Sequence, residues 1–310
     1  MNNRRDFLKE LGGIATGLML TPAVSENLLA MTPKKPFLEI SLAEWSLHKA
    51  LFGKKMTNLD FPAKAKNEFG ISVVEYVNQF FKDKAKDTAY LNDLLQRCKD
   101  NGVKNHLIMI DGEGGMAETD DQKRLKAVEN HYKWVEAAKY LGCKTIRVNA
   151  YGTGTAEDVK KAAIDGLGKL GEFAKPFGIN IIVENHGGMS SNGQWLSDVM
   201  KQVGMKHVGT LPDFGNFCIK RTSSGCEEAY DRYQGTKELM PYAKGVSAKT
   251  YDFDDNGNCI ETDYQKILTI VKESGFKGYI GIEYEGSKLS EEEGIKKTKE
   301  LIEKTLAGLS

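Results

Sequence analysis

Residues 144–188 read KTIRVNAYGTGTAEDVKKAAIDGLGKLGEFAKPFGINIIVENHGG. The stretch opens on a short apolar run, Thr145–Asn149, and closes on a second, Ile179–Val183. Between them, Ala156 to Phe177 carries Val159, Ala163, Leu167, Leu170 and Phe173 on one helical face. Gly178 follows, where a helix stops cheaply in the left-handed conformation. Strand, helix and strand in this order join two parallel strands by a crossover.

The same unit recurs with a period of roughly 30–40 residues. Further strand-like runs stand at Phe37–Leu42, Ser72–Val77, Asn105–Ile110, Val208–Leu211, Gly245–Ala248 and Tyr279–Ile282, making eight in all. They are short and apolar, as strands covered on both faces are. A second long helical stretch, Asp121 to Leu141, aligns Leu125, Val128, Tyr132, Val135, Ala138 and Leu141. Eight βα units without a domain-sized interruption predict an α/β chain folded as one (β/α)8 TIM barrel over residues 33–310. No Gly-x-Gly-x-x-Gly follows the first strand, which argues against an open dinucleotide-binding sheet. The longest irregular pieces, 111–120, 187–194, 216–226 and 250–263, all follow strands, on the side where barrel active sites lie.

Residues 1–32 read differently. Asn3-Arg4-Arg5-Asp6-Phe7-Leu8-Lys9 and the apolar run Gly12 to Leu20 have the pattern of a twin-arginine export signal. This predicts a periplasmic protein, with cleavage between Ala23 and Thr32. The competing reading is an amphipathic helix that stays attached. The run is shorter than the roughly 20 residues a membrane crossing needs, and no later stretch is apolar enough to cross one, so the mature chain is expected to lack an integral membrane segment. Lys plus Arg and Asp plus Glu number 43 each, so the net charge is zero and nothing resembles a basic face for nucleic acid. Five cysteines without metal spacing argue against a full disulfide framework, while export leaves room for a single pair.

Polar residues at the C-terminal ends of barrel strands share one mouth. The strand ends here supply Glu44, Trp45 and His48; Glu75; Asp111; Asn149; Glu184, Asn185 and His186; Asp213 and Asn216; Lys249; and Glu283 and Glu285. Glu184, Asp213 and Glu283 form a candidate ligand set for a hard divalent cation, Mg2+ or Mn2+, or Zn2+ with a histidine added. Taken singly, each has an equally good structural reading as a cap or as partner to a rim lysine; all three at strand ends favour a site. The cation would polarise a carbonyl or hydroxyl, and Glu184 and Glu283 would act as the catalytic pair that moves a proton. Glu75, Asn149, His186, Asn216, Lys249 and Glu285 are the candidate substrate-binding residues. Lys249 has an ion pair with Asp213 or Glu283 as its competing role. Trp45, Trp195, Phe80 and Phe214 could offer apolar faces to a sugar ring, with burial in the core as the alternative for each.

Four segments, Val-Glu-Asn-His-Gly-Gly at 183–188, Leu-Pro-Asp-Phe-Gly-Asn-Phe at 211–217, Ala-Lys-Thr-Tyr-Asp-Phe at 248–253 and Gly-Ile-Glu-Tyr-Glu-Gly at 281–286, carry a resemblance. The chain resembles the xylose-isomerase-like TIM barrel superfamily over about residues 37–306. The resemblance implies metal ligands from a Glu, an Asp, a His and a Glu after strands five to eight. The carboxylates map to Glu184, Asp213 and Glu283, but Ser247 stands where the histidine is expected. Asn216 stands near the place of a further histidine in endonuclease-type members, which argues against DNA repair.

These readings lead to a metal-assisted sugar isomerase or epimerase. Its substrate is expected to be a non-phosphorylated sugar or keto-sugar, since no glycine-rich phosphate cradle is evident. Two alternatives stay open: a keto-sugar lyase or dehydratase on the same site, and a non-catalytic carbohydrate-binding protein on a decayed enzyme scaffold. The sequence leaves the oligomeric state open, a homo-oligomer included.

Overall fold

The structure, a computed structural model, describes residues 36–309. The export-signal reading of residues 1–32 lies outside the described residues. Eight parallel strands form the barrel: β1 (Leu38–Ala43), β2 (Val73–Val77), β3 (Lys104–Met109), β4 (Thr145–Val148), β5 (Asn180–Glu184), β6 (Val208–Leu211), β9 (Val246–Thr250) and β10 (Gly278–Tyr284). A two-stranded hairpin, β7 (Cys218–Thr222) and β8 (Gly225–Ala229), is inserted after β6. Among the described residues the helices are α1 (His48–Phe52), α2 (Phe61–Phe69), α3 (Thr88–Asp100), α4 (Asp121–Leu141), α5 (Ala156–Ala174), α6 (Gly193–Val203), α7 (Arg232–Leu239), α8 (Tyr264–Glu273) and α9 (Glu291–Leu309).

Strand pairing runs continuously from β6 back to β1, then through β10 to β9. The remaining seam is closed by two parallel bridges, Thr210 to Ala243 and Asp213 to Ser247. Ser247 N–H donates to Pro212 O at 2.9 Å and Phe214 N–H to Ser247 O at 3.1 Å. The seam therefore lies beside two of the residues singled out for chemistry.

Helix ends follow their local signals. Thr155 caps α5 by accepting from the Asp158 amide, and Asp120 caps α4 from the Lys123 amide. Gly142 (φ 78°) and Gly178 (φ 68°) end the two helical segments in the left-handed region.

Parallel register puts paired residues on one face of the sheet. Ser41 pairs with Gly281 and Gly281 with Ser247; Glu75 pairs with Leu107; Met109 pairs with Arg147; Glu283 pairs with Lys249. A small cluster of Ala43, Val77, Leu107, Met109, Ile182 and Leu211 packs separately from the main core. It makes an apolar plug on one side of the barrel interior. The side formed by β9, β10 and β1 carries Ser247, Gly281 and Ser41 instead, and Glu75 extends into the room they leave. A Cβ on Gly281 would lie 2.7 Å from Glu75 Oε2. The larger core between strands and helices includes Trp134, Leu167, Leu196, Ile267 and Ile302.

Candidate active site

Glu184 ends β5 and Glu283 lies near the end of β10, while Asp213 follows β6 by two residues. Their ligand oxygens lie within 4.8 Å of one another, and all three side chains are buried. Asp213 is held from several sides. Its Oδ1 accepts from the Gly215 and Asn216 amides, both at 2.8 Å. Asn185 accepts from the Asp213 amide at 2.8 Å and donates to its carbonyl at 2.9 Å, tying the ends of β5 and β6 together. Asn216 Nδ2 donates to Glu184 Oε1 at 3.1 Å.

Ser247 occupies the position where the sequence resemblance expects a histidine. Its hydroxyl stands 2.7 Å from Asp213 Oδ2 and 3.2 Å from Glu283 Oε2. A hydroxyl has one proton, so it satisfies one of these carboxylates at a time.

Two buried cations face this group. Lys249 Nζ lies 2.5 Å from Glu283, 3.1 Å from Glu285 and 4.0 Å from Asp213, and the Glu283 and Asp213 contacts are the ion pairs expected for it in its competing role. Arg147, on β4, places Nε 2.9 Å from Glu184 Oε2 and Nη1 2.7 Å from Asp111 Oδ1. Asn149 donates to the same Asp111 oxygen at 2.7 Å. His186 faces Tyr151 (2.5 Å) and Asn149 (3.3 Å), and is not part of the carboxylate cluster. Glu75 accepts from Ser41 at 2.6 Å, and its second oxygen is buried without a hydrogen-bond partner. Glu285 accepts from Lys249 and from the Trp45 indole.

The electrostatics reflect crowding. Burial raises Glu184 to about 7 against the opposing pull of Arg147. Burial raises Asp213 to about 7, with Lys249 opposing and Glu184 adding repulsion. Glu75 also rises to about 7, mainly from burial. Burial pushes Glu283 upward too, but contact with Lys249 overrides it and holds the carboxyl below its ordinary value. Two cations, Arg147 and Lys249, thus face six carboxylates: Glu75, Asp111, Glu184, Asp213, Glu283 and Glu285. Three hard oxygen donors in a region short of positive charge fit a divalent cation.

Several expected residues fall elsewhere. Trp195 and Phe214 are not sugar-facing: they are 5% and 0% exposed. Trp195 donates to the Ala156 carbonyl, and Phe214 packs edge-on against Tyr264. Trp45 and Phe80 do stand at the mouth, half-buried over the apolar plug. Arg147 escaped the sequence reading, although it lies on β4 two residues before Asn149, which follows the strand. The piece 216–226, read as irregular, contains most of the β7–β8 hairpin, and Cys218 and Cys226 are disulfide-bonded across it. Cys98, Cys143 and Cys259 are buried free thiols.

The xylose isomerase-like TIM barrel model matches residues 63–305, and the chain belongs to that family. Among solved structures it is similar to the IOLI protein with a bound zinc atom: 17% identity, TM-score 0.67, covering 87% of this chain and 99% of that one. It is also similar to a xylose isomerase-like TIM barrel protein from Mycobacterium smegmatis in complex with magnesium: 16% identity, TM-score 0.64, covering 88% and 96%. A third is the 3-keto-D-glucoside 4-epimerase YcjR from E. coli: 15% identity, TM-score 0.59, covering 86% and 99%. At these identities the likeness shows the fold. No curated protein matches the chain by sequence. Among the described residues, no helix is long and apolar enough to cross a membrane.

Proposed function

We propose that the protein is a sugar isomerase or epimerase acting on a non-phosphorylated sugar or keto-sugar by proton transfer between two carboxylates. The observation that carries this reading is the buried convergence of Glu184, Asp213 and Glu283 at one mouth. These three residues would hold a divalent cation, and zinc and magnesium in two structural neighbours support that assignment. When bound, the cation would polarise a substrate oxygen and stabilise negative charge beside it.

The chain's own residues account for the proton. Glu184, whose carboxyl burial raises to about 7 in the metal-free protein, is the group assigned to accept or return the proton. Glu283, held lower by Lys249, is ionised at the same pH and serves as the complementary base. Arg147 orients Glu184 from one side and Asn216 from the other. Asn149, His186, Glu75, Lys249 and Glu285 line the surroundings from which substrate hydroxyls would be bound.

Export to the periplasm is part of the proposal. The Cys218–Cys226 disulfide supports it, because such bonds persist in oxidising compartments. Ser247 favours a second reading, a carbohydrate-binding protein without turnover, since it removes a nitrogen ligand from the cation set.

Incubation with Mn2+ and a panel of aldoses, ketoses and keto-sugars in deuterium oxide tests the proposal. Exchange of a C–H next to a carbonyl is expected by NMR, together with its loss in Glu184→Gln and in Glu283→Gln. Sugar binding without any exchange would overturn the catalytic reading in favour of the second.

A further inference from the structure

Three aromatic rings cluster at the rim beside the carboxylate group. Trp45, Phe52 and Phe80 form a triangle, with centroids 6.0 Å apart for Trp45–Phe52, 5.1 Å for Phe52–Phe80 and 6.2 Å for Trp45–Phe80. All three come from the segments that follow β1 and β2, on the mouth side of the barrel. His48 stacks on Trp45 at 5.1 Å, so the open face of the cluster belongs to Phe52 and Phe80. Phe52 is 56% exposed, and a phenyl ring left in water forfeits the favourable burial of its apolar area.

The cluster is joined to the carboxylate group. The Trp45 indole donates to Glu285, and Glu285 accepts from Lys249, which contacts Glu283. Phe52 meets Trp45 at 86° and Phe80 at 64°, so its exposed ring stands as an apolar wall beside the Trp45–Phe80 pair, where the charged groups end. Tyr151, 41% exposed, stands beside His186 as a second exposed ring on the same rim.

We propose that the Phe52–Phe80 face is the subsite for a second sugar ring, so that the substrate is a glycoside or disaccharide and not a free monosaccharide. This rests on the sugar reading given above. A pyranose has an apolar C–H face and a polar rim. An aromatic plane covers the first without leaving the hydroxyls of the second unpaired. The contacts that join the cluster to the carboxylates run through Trp45 and Glu285, with Phe52 packed on the edge of Trp45, so a second ring linked to the first is the group assigned to cover Phe52.

The test is calorimetric titration of the Mn2+-loaded protein with cellobiose and maltose against glucose, and with lactose against galactose. At least one disaccharide is expected to bind about tenfold tighter than its monosaccharide, the size of one stacking contact. In Phe52→Ala and Phe52→Leu that ratio falls towards one, while Phe52→Tyr, which keeps the ring, retains it. A ratio near one in the unaltered protein, or a ratio unchanged in Phe52→Ala, overturns the second-ring subsite alone. Failure of every sugar, single or double, to bind overturns the underlying sugar reading with it.

Discussion

Replacing Lys249 by Met keeps most of the side-chain volume and removes one buried charge. Lys249 is 2% exposed and serves Glu283 at 2.5 Å, Glu285 at 3.1 Å and Asp213 at 4.0 Å. Taking one partner from a buried ion pair costs about 3–5 kcal/mol, because the other charge stays behind unpaired. Protonation offsets part of that cost. Burial already lifts Asp213 to about 7, and Glu283 loses the ammonium that holds it down. A carboxyl raised in the folded state binds more protons than in the unfolded chain, so the variant's stability falls as pH rises. The deficit should therefore be larger near pH 8 than near pH 5.5. At about 2–4 °C per kcal/mol for a chain of this size, the melting temperature should fall by roughly 6–20 °C at the higher pH. Differential scanning calorimetry of the metal-free protein and the variant at both pH values measures this. A variant melting within about 2 °C of the parent near pH 8, or one losing more at the acid pH, would refute the reasoning.

Gly281→Ala should cost about 1–3 kcal/mol by overpacking, because its Cβ would meet Glu75 Oε2 at 2.7 Å and Oε1 at 2.9 Å. Urea unfolding should show a non-additive cycle in which Glu75→Ser relieves the crowding, and strict additivity would contradict the packing. His106 is held down to about 4 by burial, with Lys104 adding repulsion. Its contribution is full above the unfolded value near 6.5 and is lost as pH falls towards 4, by about 3 kcal/mol. His106→Phe should flatten that acid limb in pH-dependent urea titrations. Ser247→His would place a nitrogen donor between Asp213 and Glu283 and should tighten divalent-metal binding on the order of tenfold, read by chelator competition.

The barrel was legible because its signals are periodic and local. The helix Asp121–Leu141 and the strand Val208–Leu211 have the bounds their apolar patterns predict, and the other strands shift by one or two residues. The carboxylate set was legible for a topological reason. Once eight strands close, their C-terminal ends share one mouth, so Glu184, Asp213 and Glu283 meet despite their separation along the chain. Arg147 was not legible, since an arginine inside the apolar run Thr145–Asn149 gains its meaning only from Asp111 and Glu184 on neighbouring strands. The β7–β8 hairpin was missed because its residues are largely exposed and lack an alternating apolar face. Trp195 and Phe214 show the limit from the other side: a ring's identity says nothing of its depth, and both lie in the core.

Calorimetric titration of Mn2+ into the purified, chelator-treated protein, with Asp213→Asn beside it, tests the proposed centre most directly. One site per chain in the protein, abolished or strongly weakened in the variant, is the predicted result. No heat of binding from Mn2+, Mg2+ or Zn2+ in the unaltered protein would contradict a metal-assisted mechanism at Glu184, Asp213 and Glu283.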